Sequence, residues 1–260
     1  MKFKITGEER EIELPRQFEE EYRPDLIKRA FESYASQKYQ PKGSYKYAGL
    51  QNVAEYYGRR HAWRATINTG QSRVPREKIA KGRSGRVLRI PSAVKGRRAH
   101  PPKTEKIITL KINKKELFKA MRSAISATVN EKIVRIRGHQ FDKIPLIAPQ
   151  KIEEISKTKD LKKYLSQFKV EEDLVKSENR KKRSGVSLLR RGGYKTRKTI
   201  LLVVGGDCPL MKAGRNIPGA AVKRVESLDI NDVAPGGVAG RLTIWSENAV
   251  KKMKELKLFE

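Results

Sequence analysis

"TILLVVGG", residues 199–206, is the most strand-like run of the chain. It is rich in aliphatic and β-branched residues and ends at Gly205 and Gly206. A continuous apolar run of this length is typical of a strand that is buried on both faces, as in a parallel sheet covered by helices. We therefore predict that it is the central strand of the fold.

Further strand and helix patterns lie on both sides of this run. Strands are predicted in "KIPLIAP", "AAVKRVESL" and "GRLTIW", and a hairpin in "KFKITG" and "REIEL" around Gly7 and Glu8. Apolar residues at helical spacing predict helices in "DLIKRAFESYASQ", "NKKELFKAMRSAISATVN", "TKDLKKYLSQF" and "SENAVKKMKELK", with Asn113 and Ser246 as N-caps. This alternation predicts an α/β fold, a single globular domain with a mostly parallel sheet flanked by helices.

Two segments hold most of the charge. The chain has 260 residues and a formal net charge of +30, of which residues 59–103 and 179–198 together carry +22. The first segment contains one acidic residue and the second contains none. Such a field attracts polyanions by releasing their counterions, so nucleic acid is the leading partner class. A membrane is the competing class, but no stretch has the roughly 18 apolar residues of a spanning helix.

The first basic segment lies in a long region without regular patterning. From about residue 42 to residue 103 no convincing helix or strand is predicted, whereas compact domains rarely tolerate loops longer than about 15 residues. We predict an extended loop at residues 45–102 and a globular domain at residues 1–44 and 103–260. Glycines at 70, 82, 85 and 96 allow close approach of the backbone to phosphates, and four prolines stiffen the path. A disordered basic tail is the alternative.

Several side chains of these segments suit RNA. Arginine offers a planar fork to phosphate oxygens, and Trp63 and His61 can stack on unpaired bases. Trp63 can equally cover the root of the loop against the globular body. The second segment, a basic loop at about residues 179–198, also matches a nuclear-localisation run loosely, although its glycines and Tyr194 favour an RNA-contacting loop.

Enzyme chemistry has little in its favour. "VVGGDCPLMKAGRN" follows a strand but lacks G-x-G-x-x-G and the P-loop G-K-[ST], which favours an ordinary strand-to-helix turn. The histidines (His61, His100 and His139) and Cys208 show no metal-ligand spacing. We therefore predict no cofactor, no metal site and no catalytic residues. We also predict a soluble intracellular protein, because the N-terminus has no apolar signal region.

Six blocks of the sequence resemble one known family. They are "YRPDLIKRAFESYASQKYQPKGSYKYAGLQNVAEYYG", "RIPSAVKGRRAHPPKTEK", "INKKELFKAMRSAISAT", "RGHQFDKIPLIA", "RNIPGAAV" and "DVAPGGVAGRLTIWSENAV". In this order they resemble the L-four family of large-subunit ribosomal proteins, in its archaeal and eukaryotic branch. "GRRAHPP" and "APGGVAGRLT" are the most distinctive matches.

The resemblance implies a structural role in the ribosome. It implies an α/β domain on the outer surface of the large subunit, in the cytoplasm, and a loop that passes through large-subunit rRNA to the wall of the nascent-peptide exit tunnel. The implied partners are rRNA, neighbouring ribosomal proteins and, at the loop tip, the nascent peptide; the implied functions include subunit assembly. The loop would turn between about residues 65 and 86, and its tip residues would be Arg73, Arg76, Lys78, Lys81, Arg83 and Arg86.

The remaining candidate residues are assigned to rRNA itself. On the loop they are Arg59, Arg60, His61, Trp63, Arg64, Arg89, Lys95, Arg97, Arg98 and His100; in the second segment they are Arg180, Lys181, Lys182, Arg183, Arg190, Arg191, Tyr194, Lys195 and Arg197. Two other functions remain as alternatives. One is an extraribosomal regulator that binds messenger RNA with the same surface, and the other is an α/β enzyme that acts on nucleic acid.

Overall fold

The computed structural model describes residues 2–6, 10–61, 65–79, 84–189 and 191–259. Its contacts divide the chain into two compact units: unit 1 comprises Met1–Lys38 and Thr109–Glu260, and unit 2 comprises Tyr39–Ile108. The strands are β1 (Lys2–Lys4), β2 (Glu11–Glu13), β3 (Arg76–Lys78), β4 (Ser84–Val87), β5 (Leu146–Ala148), β6 (Lys181–Lys182), β7 (Tyr194–Lys195), β8 (Leu201–Val204), β9 (Ala221–Arg224) and β10 (Thr243–Ser246). The helices are α1 (Pro24–Ser36), α2 (Lys114–Ser126), α3 (Glu131–Ile136), α4 (Thr158–Ser166), α5 (Glu171–Glu178), α6 (Leu210–Arg215), α7 (Ile230–Val233) and α8 (Glu247–Glu255).

Unit 1 is built on a four-stranded parallel sheet. The strand order is β5-β10-β8-β9, and each neighbouring pair is parallel. The predicted α/β class is confirmed, and the run at residues 199–206 supplies β8, one of the two central strands. The other is β10, the last strand in the chain, which lies between β5 and β8.

The sheet is buried on both faces, which explains the continuous apolar composition of β8. Leu201 and Val203 belong to a core formed with residues of α1, α2 and α8. Leu202 and Val204 belong to a second core formed with residues of α4, α5 and α6. Successive side chains of a strand point to opposite faces, so a strand between two cores needs apolar residues at every position.

The four helices predicted from apolar spacing are present, but one cap differs. Ser246 accepts a hydrogen bond from the backbone N–H of Ala249 and so caps α8 as predicted. Asn113 occupies the N-cap position of α2, but its side chain makes no capping hydrogen bond. The short helices α3 and α5 were not predicted, because six to eight residues hold too little of a helical repeat to be distinguished. Helix α6 follows β8, as the predicted strand-to-helix turn requires.

A buried arginine fixes the start of β8. Arg241 is 1% exposed and donates hydrogen bonds to the carbonyl oxygens of Thr199, Asp232, Ile200 and Gly219, at 2.8, 2.8, 3.0 and 3.3 Å. Burial lowers the pKa of its guanidinium to about 10, so the group remains charged at neutral pH. The chain leaves the second basic segment at this point and enters the sheet. Arg241 therefore ties that segment to the core.

Unit 2 contains more regular structure than the sequence predicted. Strands β3 and β4 pair antiparallel, with Arg76 opposite Val87, and Glu55 forms an isolated bridge with Arg76. Interpretation of the whole region as lacking helix or strand was therefore wrong at this hairpin. The pattern gave no signal because three- and four-residue strands are too short to show alternation.

Candidate nucleic-acid interface

The second basic segment forms a two-stranded ribbon in unit 1. Strands β6 and β7 pair antiparallel, with Lys181 opposite Lys195 and Lys182 opposite Tyr194. The backbone N–H of Arg183 donates to the carbonyl of Gly193 at 2.8 Å, and its side-chain Nε donates to the carbonyl of Tyr194 at 3.1 Å. The two strands of the ribbon are thus held together by contacts within the segment.

The ribbon brings like charges together. Lysines directly opposite each other across a strand pair repel, which destabilises the pairing. Segment 179–198 contains no acidic residue that would compensate. A polyanion laid along the ribbon would remove this repulsion, because its phosphates would neutralise both strands at once.

Most predicted contact residues of this segment face solvent. Arg183 is partly buried, Tyr194 is 53% exposed, and the exposed cations are Arg180, Lys181, Lys182, Lys195 and Arg197. Arg190 lies outside the described residues, and so does the side chain of Arg191. An exposed tyrosine beside several cations presents one aromatic face for base stacking together with donors for phosphate oxygens.

One cation of this segment was not selected from the sequence. Lys198 is the last residue of the basic segment, and its pKa is lowered, first by burial and then by the nearby positive charge of Arg241. Its Nζ donates to Oδ1 of Asn231 at 3.4 Å. In the sequence, only its position in the basic segment could have identified Lys198 as a candidate contact residue, since the proximity of Arg241 depends on the tertiary fold.

In unit 2, an outgoing and a returning arm approach closely. The N–H of Ser44 donates to the carbonyl of Pro102 at 3.3 Å. A Cβ added to Gly49 would lie 2.6 Å from backbone atoms of Gly96, and one added to Gly96 would lie 1.9 Å from the carbonyl oxygen of Ile90. Glycine is thus required at position 49 by the approach of the two arms, and at position 96 by a tight turn within the returning arm.

Arg89, predicted to contact rRNA, has an internal role in unit 2. It donates from Nη1 to the carbonyl of Ala54 at 2.9 Å and from Nη2 and Nε to the carbonyl of Leu50 at 3.2 and 3.4 Å. These bonds join the returning arm to the outgoing one. Three of its nitrogen atoms are engaged, so any contact of Arg89 with rRNA stays a prediction.

Four of the predicted tip residues are described by the structure, and they fall in and around the β3–β4 hairpin. Arg73 is exposed, Arg76 lies on β3, and Lys81 and Arg83 lie outside the described residues. Nζ of Lys78 lies 2.6 Å from Oε2 of Glu55. Their hydrogen bond raises the pKa of Lys78 and, with a second bond from Tyr57, lowers the pKa of Glu55.

Another ion pair joins the two strands of this hairpin, between Arg86 and Glu77 at 3.3 Å. Two of the predicted tip cations thus have acidic partners inside unit 2. The sequence could not indicate the pairing of Lys78 with Glu55, because 22 residues separate them along the chain. The position of this hairpin relative to a tunnel stays a prediction.

The remaining predicted loop residues that the structure describes are exposed to solvent. The exposed ones are Arg59, Arg60 and His61 on the outgoing arm, and Lys95, Arg97, Arg98 and His100 on the returning arm. Trp63 and Arg64 lie outside the described residues. Exposed cations on both arms suit a groove or channel of RNA, where phosphates surround the inserted segment.

The described residues offer neither a metal site nor a membrane span. Among them, no group of three or more histidine, cysteine or acidic side chains is placed to hold a metal ion. In the same part of the chain, no helix has the length and apolar character needed to cross a membrane.

Comparisons with known proteins point to one family. The model of the ribosomal protein L4/L1 family matches residues 12–256. Three similar proteins carry the name large ribosomal subunit protein uL4. That of Methanocaldococcus jannaschii is 45% identical over 97% of both chains, that of Methanoculleus marisnigri is 42% identical over 96% of both, and that of Methanococcoides burtonii is 42% identical over 95% of this chain and 94% of its own.

Proposed function

The chain belongs to the ribosomal protein L4/L1 family, and on that premise we propose that it is a structural constituent of the large ribosomal subunit that binds large-subunit rRNA. The observation that carries the proposal is the basic ribbon. It holds Lys181 opposite Lys195, and the segment contains no acidic residue. The phosphates of a polyanion bound along the ribbon would neutralise these like charges and remove their repulsion.

The two units would contribute in different ways. Unit 1 has two apolar cores and offers a rigid body from which the ribbon projects. In unit 2, the described residues include few buried apolar side chains, namely Ala54 and Leu88, so its order depends on hydrogen bonds between its arms and on bound RNA. Neutralisation of phosphates along both units allows rRNA helices to pack together, which is the contribution to subunit assembly.

The position of unit 2 in the subunit follows from the family resemblance. Its arms would pass through rRNA, and the region of the β3–β4 hairpin would reach the wall of the exit tunnel, where it would meet the nascent peptide. The remaining partners would be neighbouring large-subunit proteins, and the location would be the ribosome in the cytoplasm. Regulation of messenger RNA by the same surface has no specific observation in its favour.

Sedimentation tests the proposal. Native lysate is centrifuged through a sucrose gradient that contains about 0.5 M monovalent salt, which removes loosely held polycations by the counterion effect. The chain is then detected in each fraction. We expect it to remain in the large-subunit peak. Release to the top of the gradient would instead identify an exchangeable RNA-binding protein, and the structural role would be withdrawn.

A further inference from the structure

The tip of the basic ribbon carries apolar side chains. Between β6 and β7 the chain forms a 3-10 turn at Gly185–Leu189. In this turn Val186 is 74% exposed and Leu189 is 86% exposed. Leu188 is 38% exposed and packs over Gly193, where an added Cβ would be 3.0 Å from its Cδ1 atom.

The turn is ordered by contacts of its own. The hydroxyl of Ser187 donates to the carbonyl of Ser184 at 2.7 Å. Gly185, Gly192 and Gly193 adopt positive φ angles of 60°, 69° and 74°, which glycine adopts without steric cost. The position of Val186 and Leu189 at the tip is therefore set by a defined turn with an anchoring leucine.

These two side chains need an explanation that the basic residues do not supply. Single exposed aliphatic residues are common on protein surfaces. Here two of them share one five-residue turn, and nine Lys and Arg in the same 20-residue segment surround it in sequence. Phosphate contacts account for the cations but give no reason for an apolar tip, because charged groups recognise phosphate and aliphatic groups do not.

We infer that the tip is an apolar wedge for RNA: Val186 and Leu189 enter between unstacked bases or against ribose and base faces, while the cations of the ribbon hold the flanking phosphates. Aliphatic side chains are used in this way to open base steps in nucleic acids, and unpaired bases of RNA offer such apolar faces. The inference rests on the proposed function, and it adds a contact that recognises RNA shape. An apolar groove of a protein is a less suitable occupant, because the segment's charge of +9 would require an acidic rim around that groove.

The test compares two kinds of variant in the full-length chain. Binding to a full-length large-subunit rRNA transcript is measured from about 0.1 to 0.5 M monovalent salt, where the slope of log K against log salt reports the number of phosphates contacted. Val186→Ser with Leu189→Ser removes the wedge, and Lys181→Gln with Lys182→Gln removes phosphate contacts. Ile136→Ser is the matched control, because Ile136 is also 86% exposed but lies outside the basic segment.

The wedge variant should bind roughly tenfold or more weakly at every salt concentration, with an unchanged slope, because burial of an aliphatic side chain does not release counterions. The lysine variant should lower the magnitude of the slope by about 0.7 to 0.9 for each phosphate that is no longer neutralised. Val186→Ile with Leu189→Met should retain affinity. Circular dichroism should show all variants folded, since the substituted side chains are exposed.

Two results would overturn the wedge. The first is that Val186→Ser with Leu189→Ser binds the transcript with wild-type affinity, which would mean that the tip contacts a protein neighbour or solvent. The second is that Ile136→Ser loses as much affinity as this double variant. A failure of the wild-type chain to bind the transcript, or binding without salt dependence, would refute the proposed function itself and the wedge with it. These outcomes separate the two conclusions.

Discussion

Replacement of Arg241 by methionine should destabilise unit 1 by an amount that its hydrogen bonds allow us to estimate. Its guanidinium donates to four carbonyl oxygens. Two of them have other donors, since Ala221 N–H bonds to Ile200 and Thr199 N–H bonds to Gly219. The carbonyls of Thr199 and Asp232 therefore depend most on Arg241.

Each buried acceptor left without a donor costs about 1 to 3 kcal/mol. Two such acceptors would cost about 2 to 6 kcal/mol, and part of this is recovered because methionine avoids the cost of keeping a cation buried. We expect a net decrease of about 2 to 4 kcal/mol in the free energy of unfolding. For a chain of this size, that corresponds to a decrease in Tm of roughly 5 to 15 °C.

Urea denaturation followed by circular dichroism measures this decrease, with Arg197→Met as the control. Arg197 is exposed, so the control makes the same chemical change and the same change in charge without uncovering buried carbonyls. It should alter stability by no more than about 0.5 kcal/mol. Equal urea midpoints for the two variants would refute the view that Arg241 holds the start of β8 in place.

Three further predictions concern other parts of the chain. Burial alone would raise the pKa of Asp173, but His139 at 2.6 Å and Lys176 at 3.1 Å lower it. The free energy of unfolding should thus decrease as the pH falls below about 4, where the Asp173 carboxylate takes up a proton. Asp173→Asn should flatten this dependence of unfolding free energy on pH, which urea titration at each pH measures. A wild-type profile that is already flat in this range would contradict it. Gly96→Ala should increase proteolysis of the free protein within unit 2, since its Cβ would meet the carbonyl of Ile90 in the same turn of the returning arm, whereas Gly58→Ala, which meets only the movable ring of Tyr56, should not. Equal cleavage of the two variants would argue against a tight turn between Ile90 and Gly96. A photo-crosslinker at Arg73 in ribosomes with stalled nascent chains should label the nascent peptide, and one at Lys163 on α4 should not. Labelling from neither site would contradict the proposed location of unit 2 at the exit tunnel.

Much of unit 1 could be predicted from the sequence, because burial sets the spacing of apolar residues along its strands and helices. Strand β8 lies between two cores and is apolar throughout, and helices of nine residues or more show an apolar stripe. The strand order could not be predicted. Nothing local indicates that β10, the last strand along the chain, lies between β5 and β8, because parallel strands are joined through long connections.

The candidate interface divides in the same way. The two basic segments and their aromatic residues can be read directly from composition, because net charge is a property of the sequence itself. Which cations remain available is decided by tertiary structure. Lys78 is paired with Glu55 and Arg89 is bonded to carbonyls of the outgoing arm, whereas the ribbon cations have no acidic residue within their segment.

The sequence by itself therefore determined the fold class, the two basic segments and the family resemblance, since each depends on residue type and short-range spacing. Only the tertiary structure decided the place of β10 in the sheet, the carbonyl contacts of Arg241, and the apolar tip that β6 and β7 carry between them. These features arise from residues far apart along the chain, or from turns whose side-chain exposure is unknown until the backbone around them is in place. Hydrogen bonding and packing act through space, and the spacing of residues in a sequence does not encode those distances directly.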